Sequence, residues 1–281
     1  MLTGFALVAF AANSVLCRLA LGRAAIDAAS FTSIRLAAGA CMLLLITAVV
    51  ERKMPAFGRG NAASALLLFL YAAAFSYAYN GLGAGAGALI LFGSVQATMI
   101  LCALGAGERP HAFEWSGLGL ALAGLVYLVF PGLSAPPLVS SALMAVAGIS
   151  WGLYSLRGRG AKNPLAETTK NFVLALPLAL IVNLLMRGDA QVSRTGVTLA
   201  VLSGALASGV GYVVWYAALR GLTATRAATV QLAVPVLAAG GGVLFLSERI
   251  SLRLLLAACV ILGGVGLALL GRSRPARTNT V

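Results

Sequence analysis

Ten long apolar runs follow one another along this 281-residue chain, and they constrain the fold more than any other feature. A helix needs roughly 20 apolar residues to cross a hydrocarbon core of about 30 Å, and each run is close to that length. The runs are Leu2–Ala20, Ser30–Val50, Asn61–Tyr79, Gly83–Ala106, Phe113–Phe130, Leu138–Leu156, Asn171–Met186, Val197–Leu219, Ala227–Leu246 and Leu254–Leu270. Continuous apolarity without alternation favours helices over a β-barrel. The sequence therefore predicts an all-α, polytopic membrane protein with ten transmembrane helices.

The charged residues are few and mostly basic. They make up 10% of the chain, whereas a soluble domain carries about 25%. The net charge of +13 comes from residues between the apolar runs, so we expect basic loops that orient a membrane protein and no nucleic-acid partner. With a cytoplasmic N-terminus, the inner loops hold 13 of the 20 Lys and Arg and the outer loops 6. This bias predicts that both termini are cytoplasmic.

The chain also resembles itself at an offset of 140 residues. Gly81-Leu82 matches Gly221-Leu222, and Glu108-Arg109 matches Glu248-Arg249. The second match is the more informative one, because the chain has only seven acidic residues. Two halves with five helices each insert in opposite orientations, and inverted repeats place a substrate site at their interface near the midplane. We predict five-helix repeats at 1–135 and 136–272, followed by a basic cytoplasmic tail at 273–281.

These features resemble the EamA branch of the drug/metabolite transporter superfamily. The residues that carry the resemblance are Gly107-Glu108-Arg109-Pro110 after span four, Ser247-Glu248-Arg249-Ile250 at the matching place, and Trp151-Gly152 in span six followed by Arg159. In the first half the equivalent stretch, Phe10 to Arg18, lacks the usual Trp. The resemblance covers nearly the whole chain.

The resemblance implies a ten-helix exporter of amino acids or related metabolites in the bacterial inner membrane. Spans one to four and six to nine would surround a central cavity, and spans five and ten would lie towards the back. The predicted function is export of small organic solutes, including hydrophobic and aromatic amino acids, by alternating access. A multidrug or other metabolite exporter is the alternative.

Polar and aromatic side chains inside the spans supply the candidates for the substrate cavity. Polar groups in lipid are costly and tend to face the bundle interior, and aromatic stripes recur on spans three and eight, which are partners in the repeat. The candidates are Asn13, Ser14, Tyr71, Phe75, Tyr79, Gln96, Trp151, Tyr154, Tyr212, Tyr216 and Gln231. Each has a structural alternative, either interhelical hydrogen bonding or packing in the core. A cavity of rings and a few amides would suit hydrophobic or aromatic amino acids.

Glycine and proline mark spans that bend. The hinge candidates are Gly93 in span four and Pro235, Gly240, Gly241 and Gly242 in span nine. Proline and glycine are the usual causes of helix kinks. We expect these spans to bend between inward-open and outward-open states.

The charges bear on coupling and on recognition. All acidic residues lie in loops or at span ends, whereas a proton antiporter usually keeps a carboxylate in mid-membrane. We therefore expect export down a gradient, or coupling through other groups. Arg18 and Arg35 lie near the outer ends of spans one and two. Two interpretations stay open for them: snorkelling to the interface, or recognition of a substrate carboxylate.

An intramembrane enzyme and a channel or sensor are the competing classes. A single His, no His-Glu-x-x-His motif and no paired intramembrane Asp leave little for acid–base chemistry. Cys17, Cys41, Cys102 and Cys259 lack Cys-x-x-Cys spacing, so we expect buried free thiols and neither a metal nor a cofactor. The expected partners are the lipid bilayer and a small-molecule substrate, with the protein acting as a monomer.

Overall fold

The computed structural model describes residues 1–52, 62–105, 112–130, 135–158, 161–186, 191–219 and 230–272, and it confirms the all-α fold. In chain order the helices are α1 (Leu2–Leu21), α2 (Ala28–Glu51), α3 (Ala62–Ala78), α4 (Ala84–Gly105), α5 (Ala112–Val129), α6 (Leu138–Gly158), α7 (Pro164–Leu185), α8 (Arg194–Leu202, Ser203–Val210 and Gly211–Leu219 without a break), α9 (Ala233–Leu246) and α10 (Leu252–Arg272). Six helices in these ranges are long and apolar enough to cross a membrane, and four shorter ones are also apolar.

Several predictions from the sequence fall outside the described residues. They are the Glu108-Arg109 pair with the surrounding Gly107–Pro110, the Gly221-Leu222 match, Arg159, and the tail at 273–281.

Capping residues explain where two of the helices begin. The Asp27 side chain accepts a hydrogen bond from Ser30 N at 2.8 Å and so caps α2. Asn163 caps α7 by accepting from Ala166 N at 3.1 Å, and Pro164 takes the first helical position. Helix α7 therefore starts seven residues before the predicted Asn171. The prediction followed the apolar run and left out the polar first turns, which the cap and the proline make helical.

The helix contacts obey an exchange symmetry between the two halves. Helix α1 packs on α8 and α9, and α6 packs correspondingly on α3 and α4. Helices α2 and α7 pack on each other, as do α4 and α9, and α5 and α10. This pattern is what two five-helix repeats produce. The boundary between the repeats at residue 135 stays a prediction.

One pentapeptide on α6, Gly148-Ile149-Ser150-Trp151-Gly152, matches the Gly-x-Ser-x-Gly pattern of serine hydrolases. That pattern needs a strand-to-helix turn, whereas this segment lies inside a helix. A Cβ at Gly148 would meet the Leu91 carbonyl oxygen at 2.6 Å, and one at Gly152 would meet Thr98 Cβ at 3.1 Å. The two glycines therefore form a close-packing Gly-x-x-x-Gly face against α4.

The first two hinge candidates lie in different surroundings. Pro235 lies in the first turn of α9, and the helical path is interrupted by a turn at Leu232 because proline cannot donate the bond that would continue it. Gly93 is buried, and a Cβ there would lie 3.1 Å from the Leu125 side chain. Gly93 therefore packs α4 against α5, and its role as a hinge stays a prediction.

The glycine triplet of α9 divides into two kinds. A Cβ at Gly241 would meet Val15 Cγ2 at 2.6 Å, and one at Gly242 would meet Glu248 Oε2 at 2.6 Å, so both positions are filled by neighbours. Gly240 is exposed, with nothing within 4 Å of its Cβ position. Only Gly240 can be changed to alanine without disturbing the packing.

The four cysteines differ in their surroundings. All are free thiols, and Cys17 is buried as expected. Cys41 and Cys259 are exposed, so the expectation of burial is wrong for them. Both lie on outward-facing sides of apolar helices, where lipid rather than protein covers the side chain.

Candidate functional site

A cavity lies between the two halves of the bundle. Its volume is about 20 Å³, roughly the room that one water molecule needs, so an amino acid can enter only when the walls move apart. Its walls come from α1, α3, α4, α6 and α8, through Phe10, Asn13, Tyr71, Leu91, Phe92, Trp151 and Tyr212. None of these residues belongs to α5 or α10, which pack on each other.

Aromatic rings form most of the cavity wall. The centroid of the Trp151 ring lies 5.0 Å from those of Tyr71 and Tyr212, and the Phe10 and Tyr212 centroids are 6.1 Å apart. Tyr154 stacks on Trp151 from behind, with centroids 5.5 Å apart. These distances and tilted geometries are favourable for aromatic pairs. The cluster joins α1, α3, α6 and α8 at one level of the bundle.

Asn13 supplies the polar group of the wall. Its Nδ2 donates to Tyr71 Oη at 3.4 Å, and its Oδ1 accepts from Ser203 Oγ at 2.6 Å. Ser203 begins the π-helical stretch Ser203–Val210 of α8, which the sequence analysis did not predict. Such stretches inside α-helices are frequent at functional sites.

Four of the eleven cavity candidates line the cavity: Asn13, Tyr71, Trp151 and Tyr212. Consecutive members of the stripe Tyr71, Phe75 and Tyr79 are separated by about 6 Å along α3, so only Tyr71 lies at the level of the cavity. A shared helix face is therefore not enough to place a residue in the cavity wall, because its level along the helix also matters.

The remaining candidates lie around the cavity. Phe75 and Tyr79 pack together with ring centroids 4.8 Å apart, and Ser14 is buried on α1. Gln96 is 3% exposed, and its Nε2 has no hydrogen-bond partner. The other two, Tyr216 and Gln231, are half-buried outside the wall.

Three wall residues, Phe10, Leu91 and Phe92, were missed from the sequence. Phe10 could have been predicted from the repeat. The position that corresponds to Trp151 at the offset of 140 residues is 11, next to Phe10. Leu91 and Phe92 could not have been predicted, since an apolar residue in an apolar run can face protein, lipid or a cavity.

Arg35 lies directly behind the cavity wall. Its Nη2 donates to Tyr71 Oη at 3.1 Å, and its guanidinium carbon lies 5.3 Å from the Tyr71 ring centroid and 4.8 Å from that of Phe75. The residue is only 2% exposed, and Nη1 has no hydrogen-bond partner. The snorkelling interpretation is therefore wrong for Arg35, because the side chain is covered by protein and does not reach the interface.

Arg18 has a different environment at the end of the bundle where α1 ends and α2 begins, which we call the α1–α2 end. Its Nε lies 3.2 Å from Glu248 Oε1, and its Nη1 donates to the backbone oxygens of Tyr79 and Asn80 at 2.9 and 3.2 Å. Glu248 Oε2 accepts from Ala84 N at 2.8 Å. The pair thus ties α1, the α3–α4 turn and the segment after α9 together.

Comparison with known proteins agrees with this architecture. The model of the EamA-like transporter family matches residues 139–270. An uncharacterized protein of Pseudomonas aeruginosa is 51% identical over 273 residues, which are 97% of this chain and 94% of that protein. One crystal structure superposes on this chain with a TM-score of 0.69 at 18% sequence identity. The match spans 97% of this chain and 99% of the other, and it supports the fold.

Two relatives have names that describe transport. The threonine/homoserine exporter RhtA of Salmonella typhimurium is 32% identical over 57% of this chain and 55% of its own length. A probable amino-acid metabolite efflux pump of Escherichia coli is 27% identical over 66% of this chain and 67% of its own length. Together with the ten apolar helices, these matches establish that the chain is an integral membrane transporter and belongs to the EamA-like transporter family.

Proposed function

We propose that this protein exports amino acids, including hydrophobic and aromatic ones, across the bacterial inner membrane by alternating access. The observation that carries the proposal is the cavity between the two halves, with rings from both halves and the amide of Asn13 in its wall. Rings bury the apolar side chain of a solute, and an amide orients its polar groups. The names of the two transport relatives support the same solute class.

The contacts at the α1–α2 end support the alternating-access part of the proposal. The Arg18–Glu248 pair lies at a place where α1, α4 and the end of α9 converge. Both side chains are 23% exposed, so water can reach them and compete for the pair. Separation of these groups would open that end, which is the extracytoplasmic one in the proposed topology. A reporter fused after Val281 tests this topology, which predicts a cytoplasmic signal.

The positions of the acidic groups support transport without obligatory proton exchange. Among the described side chains, Asp27 caps α2, Glu51 ends it, Glu167 lies in the first turn of α7, and Glu248 follows α9. Each is at a helix end. We therefore expect uptake into liposomes to persist when an uncoupler abolishes the proton gradient. Strict dependence on that gradient would contradict this expectation.

The deciding experiment is uptake by purified protein in proteoliposomes, with a panel of tritiated L-amino acids. We expect saturable uptake of threonine or phenylalanine that the matched unlabelled amino acid competes away. Empty liposomes are the control for leakage. Flux that instead responds only to cationic drugs or nucleotide sugars would favour the alternative of a multidrug or other metabolite exporter, and flux without saturation would favour a channel.

A further inference from the structure

Arg35 identifies the chemical class of the solute. We propose that its guanidinium binds the carboxylate of the transported solute, so that solutes with a free carboxylate are preferred over otherwise identical neutral ones. The inference rests on the proposed function, since it takes the cavity beside Tyr71 as the binding site.

The first argument is that no carboxylate among the described residues pairs with Arg35. The residue is the eighth of α2, about 10 Å along the axis from the start of that helix, and it is 2% exposed. Among the described residues the ion pair is Arg18–Glu248, and the titratable groups that interact with Arg35 are Tyr71, Tyr212 and Cys17, none of which is a carboxylate. A buried cation without a counter-ion is strongly unfavourable. An anionic ligand would supply the missing electrostatic stabilisation, and this favours its binding.

The second argument is the unused hydrogen-bonding capacity of the guanidinium. It carries five N–H donors in a planar fork, which matches the two oxygens of a carboxylate. One donor on Nη2 is used by Tyr71 Oη, and Nη1 is left without a partner. The rings of Tyr71 and Phe75 lie against the guanidinium and limit its rotation. The fork is thus held in one orientation with donors to spare.

The third argument is the connection between Arg35 and the cavity. Tyr71 Oη accepts from Arg35 Nη2 on one side and from Asn13 Nδ2 on the other, and both Tyr71 and Asn13 line the cavity. The Tyr71 hydroxyl therefore links the guanidinium to a residue of the cavity wall. When the helices part to admit a solute, a carboxylate beside Tyr71 reaches the guanidinium and replaces a neutral acceptor by a charged one.

The backbone below Arg35 is positioned by the π-helical stretch of α8. A Cβ at Gly204 would overlap the Arg35 carbonyl oxygen, so α2 and α8 touch at this point through glycine. The neighbouring Ser203 donates to Asn13. The same stretch therefore supports both the cation and the amide of the cavity.

The test is competition in proteoliposomes. Uptake of tritiated L-phenylalanine is measured against unlabelled L-phenylalanine and L-phenylalaninamide, in mildly acidic buffer that keeps both amines protonated; tritiated L-threonine and L-threoninamide form a second pair. In the wild type we expect the amide to compete about ten- to a hundredfold more weakly than the acid, which is the range for a lost charge-assisted hydrogen bond. In Arg35→Gln this preference should vanish. Arg23→Gln, which removes an exposed cation, should keep it.

Each result has a distinct meaning. Equal competition by acid and amide in the wild type, or an undiminished preference in Arg35→Gln, would overturn the role of Arg35 and leave amino-acid export intact. Absence of saturable uptake of either amino acid by the wild type would contradict the proposed function itself. If Arg35→Gln does not fold, as judged by gel filtration and circular dichroism, Arg35→Lys decides, because it keeps the charge but not the fork: an unchanged preference for the acid would overturn the proposal.

Discussion

Arg18 and Arg35 look alike in the sequence and differ completely in the structure. Each lies in the half of an apolar helix that is nearer the α1–α2 end, Arg18 late in α1 and Arg35 early in α2. Arg18 is partly exposed and has a carboxylate and two backbone oxygens as partners. Arg35 is buried against rings, with one hydroxyl as its hydrogen-bond acceptor. Within the part of the chain that the structure describes, the cation that joins helix ends has a counter-ion and the cation beside the cavity has none.

The difference shows what a buried charge reveals about function. A cation at the surface of the bundle is solvated, so its ion pair contributes little stability and can be broken and remade. A cation buried in the bundle loses the stabilisation of bulk water, so an unpaired one indicates a functional site. Four substitutions separate the two regions, from the largest expected effect to the smallest.

Gly204→Ala should disturb the Arg35 region most. The new Cβ would overlap the Arg35 carbonyl oxygen, and backbone cannot give way as a side chain does. We expect a loss of about 1–3 kcal/mol or more of stability and a severe loss of transport. Thermal unfolding in detergent and proteoliposome uptake are the measurements. Gly4→Ala, where nothing lies within 4 Å of the Cβ position, is the matched control. Equal stability of the two variants would contradict the close contact of α2 with α8.

Tyr71→Phe isolates the hydroxyl between Asn13 and Arg35. The ring stays under the guanidinium, while two buried donors lose their acceptor. The expected loss of stability is about 1–3 kcal/mol, again measured by thermal unfolding. Tyr127→Phe removes a hydroxyl from a residue that is 45% exposed and should leave stability unchanged. A wild-type melting temperature for Tyr71→Phe would show that the hydroxyl does not hold the two donors.

Glu248→Gln should affect the α1–α2 end and spare the Arg35 region. The amide oxygen can still accept from Ala84 N, but Arg18 loses its counter-ion. Because both groups are partly exposed, we expect a shift of up to about 1 kcal/mol, or fivefold, towards the state open at that end. The measurement is the rate at which a water-soluble maleimide labels Asn80→Cys in a protein without its native cysteines. High salt should produce the same shift in the wild type and add nothing in the variant.

Gly240→Ala should have the smallest effect on stability. The position is open, so the methyl group meets no neighbour and helix propensity improves by up to about 1 kcal/mol. If α9 bends here during transport, uptake slows while the melting temperature is kept or raised. An unchanged rate would count against a hinge at this position. Gly241→Ala and Gly242→Ala cannot make this test, since both would also clash.

The sequence predicted four of the residues that line the cavity, and a role in substrate binding stays a prediction for each of them. Asn13, Tyr71, Trp151 and Tyr212 were found because amides and large rings in mid-span tend to face the bundle interior. Phe10 was within reach through the repeat. Leu91 and Phe92 were not, because an apolar side chain is compatible with both lipid and a cavity wall.

What the sequence determined by itself is the class of the molecule: ten apolar helices in lipid, with the starts of α2 and α7 set by Asp27 and Asn163. These are local properties, since backbone hydrogen bonds and caps are satisfied within a few residues. Only the tertiary structure decided which side chains meet, because the sequence of a uniformly apolar helix does not distinguish the face that contacts protein from the face that contacts lipid. The packing of α2 on α8 through Gly204 is one example, and it holds Arg35 beside the cavity, where no described residue supplies a counter-ion.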